Sequence, residues 1–126
     1  MIKVGIVGVG TVGRSVIEIL NQNRDIISAR AGKEIVVTKG VVRDLSKVQD
    51  LDTPISTNID DILDDKEIDI VIELMGGVEK PYLVVKKALQ YRKAVVTANK
   101  ALLAYHRYEL KELAKDLAFE YEASVA

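Results

Sequence analysis

Met1-Ile-Lys-Val-Gly-Ile-Val-Gly-Val-Gly-Thr-Val-Gly13 opens the chain, and this stretch decides the fold. The apolar run from Val4 to Val7 leads directly into Gly8-x-Gly10-x-x-Gly13, and a helical pattern follows. Strand, glycine turn and helix in that order are the context a dinucleotide fingerprint requires. Gly8 permits a tight turn, Gly10 lets backbone approach a pyrophosphate, and Gly13 lets the helix pack close to the strand. Free N–H groups at the helix start then face the phosphates, and the helix dipole favours their charge. A lone GxGxxG is a weak signal. Flanked as it is here, it predicts a cofactor site, against the alternative of a turn needed only for packing.

Working outward, strands and helices alternate. Strands are expected over residues 3–7, 35–42, 54–56, 68–73, 94–97 and 118–123. Helices are expected over residues 11–22, 23–31, 58–64, 81–91 and 105–117. Val12, Val16, Ile19 and Leu20 give the first helix an apolar face at helical spacing. Gly32 is a stop for the second, Asn58 or Thr57 a cap for the third, and Pro81 fits the first turn of the fourth. Alternation of this kind implies a mostly parallel sheet covered on both faces. The fold class is therefore α/β, a doubly wound Rossmann-type domain over residues 1–126. The chain stops right after a strand, as if cut where a second domain begins.

Composition narrows the functions. The length of 126 residues fits one domain, and 18 basic against 19 acidic residues leave a net charge of −1. That balance argues against a nucleic-acid groove or a polybasic membrane patch. No stretch approaches the ~20 apolar residues of a membrane span. Lys3 and the glycines make the N-terminus a buried strand and not a signal peptide. With no Cys, there is no disulfide framework, thiol nucleophile or Cys-based metal site. A cytoplasmic location is the expectation.

Ligands of open α/β sheets bind beyond the carboxyl ends of the strands, and four strand ends carry suggestive residues. The first is the glycine turn. The second is Val42-Arg43-Asp44. A guanidinium can pair with a 2′-phosphate and stack on adenine, so Arg43 favours NADP(H), while Asp44 keeps NAD(H) open. A solvated Arg43 paired with Asp44 is the plainer alternative. The third is Glu73-Leu-Met-Gly-Gly77. Here Met75 and Gly76 would approach the pyrophosphate or the nicotinamide ribose, and Glu73 is either a ligand contact or a strand-end charge. The fourth is Thr97-Ala-Asn-Lys100. Lys100 could hydrogen-bond a carbonyl or alkoxide or shuttle its proton, the alternative being a surface lysine at a helix start. Asn99 could equally be an N-cap. His106, the only histidine, reads as a surface or cap residue, and the acidic run 60–65 as the end of an amphipathic helix.

Taken together, these pieces resemble the N-terminal nucleotide-binding domain of homoserine dehydrogenase. The matching segments are Gly8-Val-Gly-Thr-Val-Gly13, Val42-Arg-Asp-Leu-Ser46, Asp69-Ile-Val-Ile-Glu-Leu-Met-Gly-Gly77, Val96-Thr-Ala-Asn-Lys-Ala-Leu-Leu103 and Tyr121-Glu-Ala-Ser-Val125. They run along essentially the whole chain in family order. The resemblance implies NAD(P)-dependent interconversion of L-aspartate-4-semialdehyde and L-homoserine, on the path to threonine, isoleucine and methionine. It places Thr11 and Val12 on the cofactor, Arg43 at its adenosine phosphate end, Thr97 beside it, and Lys100 near the nicotinamide and the reacting carbon. It also implies a monovalent cation, commonly sodium, held partly through Glu122 and Val125. The family's substrate and dimerisation region has no counterpart here. The resemblance therefore implies that this chain binds cofactor with little turnover, and that the longer parent is a homo-oligomer acting on a small molecule.

Two readings compete. A non-catalytic nucleotide-sensing Rossmann module would not need Lys100 and typically carries an acidic residue after its second strand. The cofactor domain of a related enzyme, such as aspartate dehydrogenase or a semialdehyde dehydrogenase, shares the fold. The latter needs a catalytic Cys. Fold alone does not separate these; the Thr-Ala-Asn-Lys and Glu-Ala-Ser-Val pieces do.

Overall fold

A computed structural model describes residues 1–47, 51 and 53–120. Its centre is a parallel sheet of six strands: β1 (Ile2–Val7), β2 (Ile35–Val41), β3 (Ile55–Ser56), β4 (Ile70–Glu73), β5 (Ala94–Thr97) and β6 (Phe119–Glu120). Their order across the sheet is β3-β2-β1-β4-β5-β6, and every pair is parallel. Successive strands therefore run outward from β1 to one edge, then cross to its other side and run to the opposite edge. The crossover leaves a crevice at the carboxyl ends of β1, β2 and β4, where α/β sheets place their ligands.

Helices α1 (Thr11–Gln22), α2 (Arg24–Ala31), α3 (Asp60–Leu63), α4 (Glu79–Gln90) and α5 (Lys100–Ala114) connect the strands. Sheet residues that are β-branched on both faces need cover on both. One core cluster joins Val71 and Val95 to Ile62, Val85, Leu89, Leu102 and Leu110, from α3, α4 and α5. The other joins Val4, Ile6 and Val37 to Ile17 of α1. Ile6, Ile17, Leu89, Leu102 and Leu110 are fully buried, and burial of such side chains is worth about 1.5–3 kcal/mol each.

Most elements lie within a residue or two of their expected places. The third helix is short, and its N-cap is Ile59, not Asn58 or Thr57, with no side-chain cap; Asn58 precedes it in a turn, its Oδ1 accepting from the Asp60 N–H at 3.0 Å. Gly32 ends α2 in the left-handed region, at φ 72°. The buried stripe of α1 is corrected in part. Val16 and Leu20 pack against the core as expected, but the buried residues are Gly13 and Ile17, while Val12 and Ile19 are exposed. A hydrophobic count passes over Gly13 because it has no side chain, yet it packs so closely that a Cβ there would stand 2.7 Å from the Gly8 carbonyl oxygen. A second correction concerns α5, which starts at Lys100 and not at residue 105. Asn99 caps it, its side chain accepting from the Leu102 N–H, and Leu102 and Leu103 enter the core. The last strand begins where expected, and its part beyond Glu120 lies outside the described residues.

Candidate functional site

The turn between β1 and α1 is built by its glycines. Gly8 has φ +99°, and a Cβ there would stand 2.8 Å from the Leu74 carbonyl carbon. A Cβ on Gly13 would stand 2.7 Å from the Gly8 carbonyl oxygen. These two positions are closed to any side chain by the chain's own backbone. Gly10 differs: a Cβ there would meet nothing within 4 Å. Its missing side chain therefore leaves space outside the fold, as a ligand that approaches the backbone requires. Gly10 is also the N-cap of α1, and no side chain caps that helix. The first helical N–H groups have no partner within a helix, so the start of α1 offers donors and a positive dipole end to an anion.

This turn forms one wall of a cavity of about 740 Å³. Val41, Val42, Arg43 and Asp44, from the end of β2, line one side, and Leu74, Met75 and Gly76, after β4, line the other. Thr11 and Arg14 of α1, Thr57 and Ile59 before α3, and Lys80 of α4 complete the lining. Three cations, Arg14, Arg43 and Lys80, thus share the cavity with one carboxylate, Asp44. Asp44 Oδ1 also accepts from the backbone N–H and hydroxyl of Ser46, at 3.0 and 2.7 Å. An open-faced glycine, an uncapped helix start and an excess of cations fit a ligand carrying a diphosphate. The apolar residues Val41, Ile59, Leu74 and Met75 fit its flat rings. The volume is that of a small-molecule site.

Several expected residues meet in this cavity: Gly8, Gly10, Thr11, Arg43, Met75 and Gly76. Gly13 supports it from behind, through the close contact with Gly8. Val12 lies on the exposed side of α1 and is not part of the lining. Thr97 is buried, its hydroxyl donating to Glu73 Oε1 at 2.6 Å. Lys100 borders a separate, smaller cavity of about 360 Å³ with Leu103, Ala104, Tyr105, Arg107, Tyr108 and Glu109. Glu122 and Val125 lie outside the described residues. Among the described residues, no group of three or more His, Cys, Asp or Glu side chains could hold a metal ion. No helix among them is long and apolar enough to cross a membrane.

Arg14, Thr57, Ile59 and Lys80 escaped the sequence reading. Arg14 directly follows the last fingerprint glycine, and Lys80 sits just after the Gly76-Gly77 break, in the first turn of α4. Both positions carried a usable signal: a cation where a strand-end loop enters a helix. His106 stacks on Tyr82 at 3.9 Å between ring centroids and lies 3.6 Å from Glu109, so it holds α5 against α4.

Glu73, expected as a ligand contact or a strand-end charge, lies behind the site and outside the cavity lining. It ends β4 fully buried. Its Oε1 accepts from the Thr97 hydroxyl and its Oε2 from the Met75 N–H, each at 2.6 Å. Burial pushes its carboxyl above the usual range, and hydrogen bonds from Thr97, Met75 and Asn99 pull the other way.

A family model described as "Homoserine dehydrogenase, NAD binding domain" matches residues 8–122. The homoserine dehydrogenase of Helicobacter pylori is 52% identical over 98% of this chain, which spans 30% of that protein. The one from Bacillus subtilis is 42% identical over 99% of the chain and again 30% of the relative. Among solved structures, a homoserine dehydrogenase from Thiobacillus denitrificans superposes with a TM-score of 0.92 at 42% identity, over 98% of this chain and 30% of that one. The chain thus spans about 30% of the length of the relatives it matches. The crevice at the strand crossover, the glycine turn and these likenesses agree, and the chain belongs to the homoserine dehydrogenase family, as its NAD-binding domain.

Proposed function

We propose that this domain holds NADP(H) in preference to NAD(H), within a homoserine dehydrogenase that interconverts L-aspartate-4-semialdehyde and L-homoserine. The observation that carries the cofactor preference is Arg43. It lies exposed at the end of β2, on the rim of the cavity whose floor is the glycine turn. In this reading the start of α1 binds the diphosphate, the amides of Thr11 and Val12 facing it, and Arg43 reads the 2′-phosphate. Arg14 and Lys80 add positive field across the cavity. The bound cofactor supplies hydride chemistry at its nicotinamide ring. Lys100, the first residue of α5, would donate a hydrogen bond to the substrate oxygen on which negative charge develops. Glu122 and Val125 would contribute to a sodium site. The parent enzyme is a cytoplasmic homo-oligomer in this reading, and touches neither nucleic acid nor membrane.

Calorimetric titration of the purified chain with NADP⁺ and NAD⁺ tests the preference. A charge-assisted hydrogen bond contributes about 1.5–3 kcal/mol, so NADP⁺ should bind on the order of 10–100-fold tighter. Arg43→Ala should abolish most of that margin and leave NAD⁺ affinity nearly unchanged. Equal affinities in the wild type would remove Arg43 as the selector. Binding of neither, by a folded chain, would overturn the cofactor reading itself.

A further inference from the structure

We infer that Glu73, a buried carboxylate outside the cavity lining, is the positioning residue for the nicotinamide half of the site. The inference rests on the cofactor reading above. Glu73 begins a ring of hydrogen bonds that ties the loop after β4 to the loop after β5. Its carboxylate accepts from the Met75 N–H on the first loop and from the Thr97 hydroxyl at the start of the second. Thr97 Oγ1 accepts in turn from the Asn99 N–H at 3.1 Å. The Asn99 side-chain amide donates back to the first loop, to the Gly77 carbonyl at 2.8 Å and the Met75 carbonyl at 3.4 Å. Asn99 Oδ1 accepts from the Leu102 N–H at 2.9 Å and so caps α5.

Packing holds the first loop only at its start, where Leu74 and Met75 lie against the core clusters and the Leu74 N–H donates to the Val7 carbonyl at 2.8 Å. Beyond it Gly76 and Gly77 are exposed, and a Cβ on either would meet nothing within 4 Å. There the loop is tied by the hydrogen bonds that Glu73 makes to the Met75 N–H and Asn99 to the Met75 and Gly77 carbonyls. Met75 and Gly76 are also the wall of the cavity opposite Arg43. With the 2′-phosphate at Arg43 and the diphosphate over α1, the remaining half of a dinucleotide extends toward that wall. The same ring fixes the start of α5, and with it the backbone of Lys100. A carboxylate is costly to bury. An apolar residue would fill the space at the end of β4, but it would leave the Met75 amide and the Thr97 hydroxyl unpaired and both loops untied.

The test compares NADP⁺ with adenosine 2′,5′-bisphosphate, which carries the adenosine half and no nicotinamide. Glu73→Gln puts a donor where the ring needs an acceptor, and Thr97→Val removes the central hydroxyl, whereas Thr97→Ser keeps it. Glu73→Gln and Thr97→Val are each expected to weaken NADP⁺ about tenfold, with the bisphosphate held within about twofold. Thr97→Ser should bind both like the wild type. If Glu73→Gln fails to fold, the Thr97 pair decides the matter alone. The inference is overturned if the altered chains bind NADP⁺ normally, if they lose both ligands equally, or if Ser serves no better than Val. It is also overturned if wild-type chain binds NADP⁺ no tighter than the bisphosphate. Failure of the wild type to bind either ligand would instead sink the cofactor reading.

Discussion

The three fingerprint glycines do separable work, and substitution by alanine separates it. At Gly13 a methyl group collides with the Gly8 carbonyl at 2.7 Å, so α1 must move off the sheet. Strain of this kind costs about 1–3 kcal/mol, and Gly13→Ala should lower the melting temperature. At Gly10 φ is negative, at −96°, so the positive-φ strain of Gly8 is absent, and the methyl group points into open space. Gly10→Ala should lower the melting temperature less than Gly13→Ala does, while cutting nucleotide affinity tenfold or more. Equal loss of stability in both variants would show that the turn serves packing alone. Glu73 adds a pH signature. A carboxyl whose pKa rises on folding contributes stability that is fully present below its unfolded value, about 4.3. That stability is lost as pH rises through the raised folded value. Burial raises Glu73. The stability of wild type relative to Glu73→Gln, from urea midpoints, should therefore decline as pH rises above the unfolded value of about 4.3. Parallel profiles would mean that Glu73 titrates as it does in the unfolded chain. The glycine roles were legible in the sequence because each is a backbone requirement. The burial of Glu73 was not, because it depends on a hydroxyl from another strand 24 positions away.

At the scale of elements, the sequence predicts existence and type well and the edges less well. Strand β4 is a β-branched run closed by two glycines, and such a run permits little else. Helix α5 starts at Lys100, five residues before its expected start at residue 105, and the expectation falls late because Thr97-Ala-Asn-Lys100 reads as a strand-end site. The cap that starts the helix, Asn99, is one of the residues that make it look like one. The opposite end of the sheet shows a purely structural polar device. Lys93, at the entry to β5, is nearly buried, and its Nζ donates to the carbonyls of Asp65 and Ile68 at 2.6 and 2.9 Å. Burial lowers its pKa, and Asp65 is the first of the charges opposing that. Asp65 also takes a hydrogen bond from Lys39 at 2.9 Å, which holds its own carboxyl below the ordinary range. These bonds tie the turn after α3 to β2 and β5, far from the cavity. Lys93→Met leaves two inward carbonyls without their donor and should destabilise the fold by about 1–3 kcal/mol, read as a shift of the urea midpoint. NADP⁺ affinity of the folded variant should be unchanged. A coupled loss of affinity would mean that the two ends of the sheet are not independent.

For the molecule as a whole, alternation of strands and helices announces a parallel sheet, and right-handed crossovers leave few ways to order it. The crevice follows from the order β3-β2-β1-β4-β5-β6. It lies where the chain leaves β1 for opposite sides, so residues as distant as Arg43 and Met75 become two walls of one cavity. Their identity was legible as strand-end residues. That Arg14 and Lys80 join them was not, since helix phase decides which way each points. The cavity is spent on the dinucleotide, however. The proposed reaction also requires the semialdehyde to be held against the nicotinamide, and well-oriented groups gain effective molarities of 10⁵–10⁸ M. Lys100 and its neighbours Tyr105 and Tyr108 border only the smaller cavity, of about 360 Å³, and Tyr105 and Tyr108 are 76% and 78% exposed. Rings that exposed leave a small zwitterion beside them largely in water. The purified 126-residue chain should therefore saturate with NADP⁺ by calorimetry, yet oxidise NADPH in the presence of aspartate semialdehyde no faster than buffer alone. A saturable rate that is lost in Lys100→Ala would overturn this, because it would mean that the surface around α5 positions the substrate by itself.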